Sequence, residues 1–212
     1  MGIATRKIAN AFSTSGIIQS ANINNASLDN ITTIAGAGDM VFVSSATASS
    51  SASIEFSLGS YKEYKFFFVN MHPQTDDVYF QFNLSTDNGS NYNVTKTSTY
   101  FMAYLGENDA GAVLTYDNTL DLAQSTSNQN LLYSLGADAD QNASGTLQLF
   151  NPSSTTYIKH WIANTNNAHY NNFSFNTYIA GYANTTSALT NIKFQMSSGN
   201  IDAGKILMFG VN

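Results

Sequence analysis

From Ile54 onward, apolar and polar residues alternate along most of the chain. In "SIEFSL" the residues Ile54, Phe56 and Leu58 share one face, and in "VYFQFNLS" Val78, Phe80, Phe82 and Leu84 do the same. Leu147 and Leu149 repeat the pattern in "GTLQLFN", as do Ile192, Phe194 and Met196 in "NIKFQM". A period of two places successive side chains on opposite faces of a β-strand. The runs are also rich in the β-branched and aromatic residues that suit a pleated, half-buried surface. Turn chemistry separates them: "DNGSN", "GEND", "NPSS" and "SSGN". Pro73 and Pro152 both fall at run ends, where a missing N–H does least harm. No sustained 3.6-residue period interrupts the series. Short strands at this spacing predict an all-β protein, an antiparallel β-sandwich. A jelly-roll-like arrangement is the first expectation and an immunoglobulin-like sandwich the second. The closing run "GKILMFGVN" is so apolar that it is expected inside a sheet, since an exposed apolar edge invites aggregation.

The pattern changes towards the N-terminus. Residues 1–37 are small and Asn-rich with isolated aliphatics, an extended N-terminal arm; residues 38–53, around "SSATASSSAS", read as a Ser/Ala-rich connector; residues 54–212 form the sandwich. In the arm, Ile18, Ile23 and Leu28 are spaced by five, with Ile31 after them. These four are too few to build a core and too many for a plain linker.

Charge narrows the function. Charged residues make up 10% of the chain, and 8 Lys+Arg against 14 Asp+Glu give a formal charge of −6. The polar surface must therefore come mostly from Asn, Ser and Thr. No basic face exists to neutralise phosphates, which argues against nucleic-acid binding. Residues 97–158 hold no Lys or Arg, while Glu107, Asp109, Asp117, Asp121, Asp138 and Asp140 all fall there. That stretch reads as solvated acidic loops or as a surface that uses cations or discriminates by charge. With no Cys, disulfides and thiolate metal sites are excluded. "MGIATRKIANAF" has no apolar core behind Arg6 and Lys7, so it does not read as a signal peptide. No apolar run is long enough for a membrane-spanning helix, and no membrane insertion is expected.

Catalytic constellations are sparse. His72, His160 and His169 lack zinc-ligand spacing. Asp76 and Asp77 are neighbours before a strand, where adjacent side chains diverge, so they do not suit paired acid/base work. The best cation candidate is "DADQN", which sets Asp138, Asp140 and Asn142 at alternate positions, hard oxygen donors that suit Ca²⁺. Yet Ala143 stands where an EF-hand has Gly, and no closing Glu follows. "STDNGSN" also looks like a cation loop, but Asn-Gly between two apolar runs is first a hairpin signal. Tyr92, Tyr100, Tyr104, Tyr170 and Trp161 are either sugar-stacking platforms or sandwich core. No other cofactor is implied, and the chain does not read as an enzyme.

At "SASIEFSL", "YFQFNLSTDNGSNYNVTK", "GTLQLFNPSSTTYIKHW" and "AGYANTTSALTNIKFQMSSGNIDAGKILMFGV" the chain resembles a family of virion structural proteins of marine tailed bacteriophages, tail-fibre-like and of the cyanophage type. The likeness spans roughly residues 46–211, and its most telling pieces are "FNPSSTTYIKH" and the final "MSSGNIDAGKILMFGV". In such proteins the closing strand is usually G-x-I-x-L-Y-G-I/V. Here Met208 and Phe209 replace Leu-Tyr and keep the apolar character. The arm is similar to the short linking repeats of phage tail fibres, in which "I-x-x-A-x-L-x-N" units recur. In a homotrimer, Ile18, Ile23, Leu28 and Ile31 of three chains would meet at a shared axis. Each buried side chain would contribute about 1.5–3 kcal/mol, which offsets the ordering of the arm only if several layers stack.

The resemblance implies a structural protein of the phage particle, made in the bacterial host cytoplasm, whose partners are its own copies and other virion proteins of tail or capsid. The leading expectation is a homotrimeric tail-fibre component that adheres to host-surface polysaccharide. The alternative is a capsid decoration protein that cements the head. A polysaccharide-degrading tailspike is a third reading, and it would need two convergent carboxylates that the sequence does not supply. Deleting residues 1–37 is expected to turn a trimer into a monomer by light scattering at micromolar concentration. A trimer that survives the deletion assigns assembly to the sandwich.

Overall fold

The computed structural model describes residues 40–212; the arm residues Ile18, Ile23, Leu28 and Ile31 lie outside the described residues. The described chain has no helix. Its strands are β1 (Met40–Thr47), β2 (Ile54–Ser57), β3 (Glu63–Pro73), β4 (Phe80–Ser85), β5 (Lys96–Gly106) and β6 (Val113–Tyr116), followed by β7 (Gln129–Asn130), β8 (Ala143–Phe150), β9 (Lys159–His169), β10 (Phe173–Ala183), β11 (Asn191–Met196) and β12 (Ile201–Val211). They form an eight-stranded sheet, β1-β12-β3-β8-β9-β10-β5-β6, and a four-stranded sheet, β2-β11-β4-β7.

All strand pairings are antiparallel, and they nest. β1 pairs with β12, β2 with β11, β3 with β8 and β4 with β7, so the chain doubles back on itself as one long ribbon. The ribbon then folds so that β12 also pairs with β3 and β11 with β4. Eight strands in two four-stranded layers with this nesting are a jelly roll. β5 and β6 arise between β4 and β7, and β9 and β10 between β8 and β11. All four add beyond β8 and double the width of one layer.

The alternating residues face inward as their period requires. Val78, Phe80, Phe82 and Leu84 are buried, as are Leu147, Leu149, Ile192, Phe194 and Met196. Phe194 stands at the centre of the smaller sheet, with ring centroids 5.3–6.5 Å from Phe56, Phe66, Phe68, Phe80 and Phe82. Edge-to-face and offset pairs of this kind add to simple burial. β12 lies between β1 and β3, an interior position that suits its apolar sequence. Pro73 closes β3, and Asn88 and Gly89 carry positive φ (59° and 82°) in the turn after β4.

One expectation needs correction. Residues 40–47 belong to β1, an edge strand, although the low-complexity composition around them reads as connector. Their pairing to β12 is long-range and leaves no alternation signal, because both faces of β1 are at least partly exposed. After β7 (Gln129–Asn130) the apolar stretch "LLYSL" leaves the sheet. Ser134 takes a positive φ of 45°, and Leu131, Leu132 and Leu135 are all buried in irregular chain.

That irregular chain has a structural task. The inner face of β9, β10 and β5 extends past the smaller sheet, and the segment after β6 packs over it. Backbone carbonyls there must find donors. Thr165 Oγ1 donates to Leu131 O (2.5 Å), Asn167 Nδ2 to Tyr133 O (2.9 Å) and Gln129 Nε2 to Leu120 O (3.4 Å). The polar residues of this inner face follow from its cover. Phe194→Ala is expected to cost about 3–5 kcal/mol in urea unfolding, the range for a fully buried aromatic. A loss under about 1 kcal/mol would mean that the aromatic cluster closes around the gap.

Candidate functional site

The broadest accessible feature is the outer face of the eight-stranded sheet. Register sets one rung of side chains across it: Tyr116, Phe101, Tyr178, Asn164, Thr146 and Phe67. Phe101 and Tyr178 stack with centroids 5.3 Å apart and planes 11° apart, and both remain exposed. The Tyr116 hydroxyl donates to Asp121, whose carboxylate raises the phenol pKa. The neighbouring rungs of β9 and β10 carry amides. Asn164 Nδ2 donates to Asn176 Oδ1 (2.7 Å), and Asn166 Nδ2 to Ser174 Oγ (3.1 Å) and Phe175 O (2.7 Å). These bonds hold the amides in fixed orientations, with donor and acceptor capacity left over.

Two shallow depressions interrupt the face. One of about 550 Å³ is bordered by Ala103, Leu105, Leu114, Ser174 and Asn176. The other, about 480 Å³, lies over Ala180 and is bordered by Thr97, Thr99, His160, Ile162 and Tyr182. Small residues at Ala103 and Ala180 make the hollows, because their neighbours in register are larger. Neither lining contains a carboxylate or a lysine. Such a surface can stack, hydrogen-bond and exclude water, all of which are binding functions.

The sheet edges are apolar too. Phe42 in β1 is 54% exposed and Leu114 in β6 is 75% exposed. Neither strand carries a charged residue, the usual protection of an edge.

The sequence-derived candidates scatter. Trp161 and Tyr100 are fully buried core residues, so they are not platforms; the Trp161 ring lies against Gly181, where a Cβ would collide with it. Tyr104 stacks on Phe175 at 4.6 Å within the inner face. Tyr92 is held on the smaller sheet: its hydroxyl donates to Glu55 Oε2 (2.9 Å) and Lys193 Nζ sits 4.5 Å above its ring. Burial and the Glu55 charge raise its pKa. Tyr170 is partly exposed beside His169. Phe101 and Tyr178, which do reach solvent together, give no sequence signal, because only cross-strand register makes them neighbours.

Asp138 and Asp140 project from an exposed turn before β8, and Asn142 follows half-buried. His72 Nε2 lies 3.3 Å from the Asp138 carbonyl, and its Nδ1 is 3.9 Å from Asp202. Among the described residues, no three His, Asp or Glu side chains gather as a metal-binding group. Asp76 Oδ1 accepts from Ala137 N (2.9 Å), and Asp77 occupies a turn position with φ of 55°. The Asp87 carboxylate is spent on Ser85 and Asn91, whose donors hold its pKa down to about 2. The loop "STDNGSN" is thereby a self-satisfied turn.

Compared with known proteins, the chain matches no protein-family model and no curated protein sequence.

His169, at the end of β9, is a buried titratable group of the inner face. Its ring stacks on Phe175 (4.7 Å) and Tyr133 (5.7 Å), and Nδ1 accepts from Asn171 N (3.1 Å). Burial lowers its pKa below the ordinary 6.5, and the Asp77 and Asp76 charges oppose this in part. The unfolded chain then binds a proton more readily than the folded one, so stability is lost as pH falls below 6.5. His169→Phe is expected to weaken the loss of stability between pH 7 and pH 5, measured as urea midpoints. Equal losses in both proteins would remove His169 as the cause.

Proposed function

We propose that the protein is a structural component of a bacteriophage particle, a homotrimeric tail-fibre or receptor-binding subunit that adheres to host-surface polysaccharide. The observation that carries this reading is the outer face of the long sheet. It is wide, holds no Asp, Glu, Lys or Arg at the outward positions from β8 to β6, and is made there of fixed amides, hydroxyls and exposed rings, groups that match the hydroxyls and C–H faces of sugars. Jelly rolls serve both in viral capsids and in lectins, so the fold is compatible with the role without assigning it. The sequence resemblance to marine phage virion proteins gives the same direction, as does the absence of a basic patch, which leaves neutral glycans favoured over nucleic acid.

Capsid decoration is the second reading, favoured by the uncharged apolar edge β1. A protein that cements a shell needs such contact surface more than it needs a saccharide-facing sheet. Gold-labelled antibody against the protein is expected to decorate the tails of intact particles. Label on the shell would replace the fibre reading by the cement one. On host envelope polysaccharide, Tyr178→Ala is expected to weaken binding about tenfold, the loss of roughly one stacked ring. Unchanged binding would move the contact off this face.

A further inference from the structure

Two lysines, Lys96 and Lys159, are fully buried inside the sandwich. Among the described residues the single acid–base contact within ion-pair distance is His72 with Asp202, so neither lysine has a carboxylate partner. Lys159 Nζ donates to the carbonyls of Thr185 (3.0 Å) and Ser187 (2.6 Å) and pins the chain between β10 and β11. Lys96 is different. Its Nζ donates to Val94 O (2.8 Å) and to the side-chain Oδ1 of Asn83 at 2.6 Å. Asn83 is itself buried, and it belongs to β4 in the smaller sheet, whereas Lys96 belongs to β5 in the larger one. The contact therefore bridges the two layers.

The Asn83 amide is held on both sides. Its Oδ1 also accepts the backbone N–H of Leu84 (2.9 Å), and its Nδ2 donates to Thr126 O (3.1 Å) and Asn128 Oδ1 (2.9 Å). Those partners set which atom is oxygen and which nitrogen. The carbonyl thus faces the amine, with a second donor on the oxygen where negative charge would develop during addition. Desolvation lowers the Lys96 pKa to about 7, so near neutral pH a large share of the amine carries a free electron pair.

We propose that Lys96 and Asn83 condense into an intramolecular isopeptide bond that ties the two sheets together. The neutral Nζ adds to Asn83 Cγ, forming the new C–N bond while the carbonyl electron pair moves onto Oδ1. The oxyanion is stabilised by the Leu84 N–H. Re-formation of the carbonyl breaks the Cγ–Nδ2 bond, and a proton from Nζ passes to Nδ2, which departs as ammonia. Amine and primary amide become secondary amide and ammonia, with no oxidant or other reactant. Because no carboxylate among the described residues relays the proton, the bond forms slowly after folding. Lys159 faces only backbone carbonyls and stays free. The inference is independent of the proposed function, although a covalent tie between layers suits a protein exposed to mechanical load.

Purified full-length protein, incubated for days at pH 8 and then denatured, is expected to show a population lighter by one ammonia. A proteolytic digest should contain a branched peptide joining the segments of Asn83 and Lys96, and that peptide should vanish in Lys96→Met. The Asn88-Gly89 pair can also shed ammonia by cyclising to a succinimide, so the branched peptide decides. Full mass, or ammonia loss without that peptide, overturns the proposal. The reading comes from the native sequence and does not depend on the variant folding.

Discussion

The two sheets are unequal, and most of the structure follows from that. A jelly roll needs four strands in each layer, yet one layer here has eight. A sheet face left bare would expose a wide apolar surface to water. The four added strands must be covered by something other than strands, and the chain between β6 and β8 does it in irregular form. Irregular backbone brings unpaired carbonyls into the interior, and each needs a donor. Thr165 and Asn167 of the large sheet and Gln129 of β7 supply donors, so the inner face of the added strands mixes Tyr100, Met102, Trp161, Phe175 and Ile179 with buried polar side chains. The buried hydroxyls and amides found beside those rings, and absent around Phe194, are a consequence of width.

The same constraint explains the buried lysines. Both lie at the ends of the added strands, where Lys96 of β5 and Lys159 of β9 flank Ala183 of β10 on one inner rung. Their long stems fill the space at the rim, and their amines find oxygen atoms of the connecting chain. An ion pair would need an acid of equal burial, and among the described residues no Asp or Glu is buried. Desolvation without compensation lowers both amines from their ordinary range. Where the facing oxygen is a side-chain amide, as at Asn83, that becomes a chemical opportunity.

Outside, low charge has the opposite effect. A chain with 10% charged residues has few lysines to protect its edges, and β1 and β6 are left apolar at the two ends of one sheet. It also makes the broad outer face suited to ligands that offer hydroxyl groups and C–H surfaces instead of charge. The hollows over Ala103 and Ala180 and the stacked pair Phe101–Tyr178 arise from register, the alignment of strands that are distant in sequence.

The sequence by itself determined the class of fold, since a period of two acts through adjacent residues: Ile54 to Leu84, Leu147, Leu149 and Ile192 to Met196 carry their inward direction in local pattern. It also placed the closing strand inside a sheet, because nine nearly uncharged residues cannot stay wet on an edge. Tertiary structure alone decided what local pattern cannot encode. β1 is a strand only because β12 pairs with it across the length of the domain. Tyr100 and Trp161 became core while Phe101 and Tyr178 became surface, a one-residue difference in phase that a run of mixed aromatics does not reveal. Asp138, Asp140 and Asn142 have the spacing of a cation loop, but no further acid or histidine is brought to complete it among the described residues. Lys96 and Asn83, unremarkable in the sequence, meet because folding one ribbon into two layers sets β4 against β5 across a dry interior.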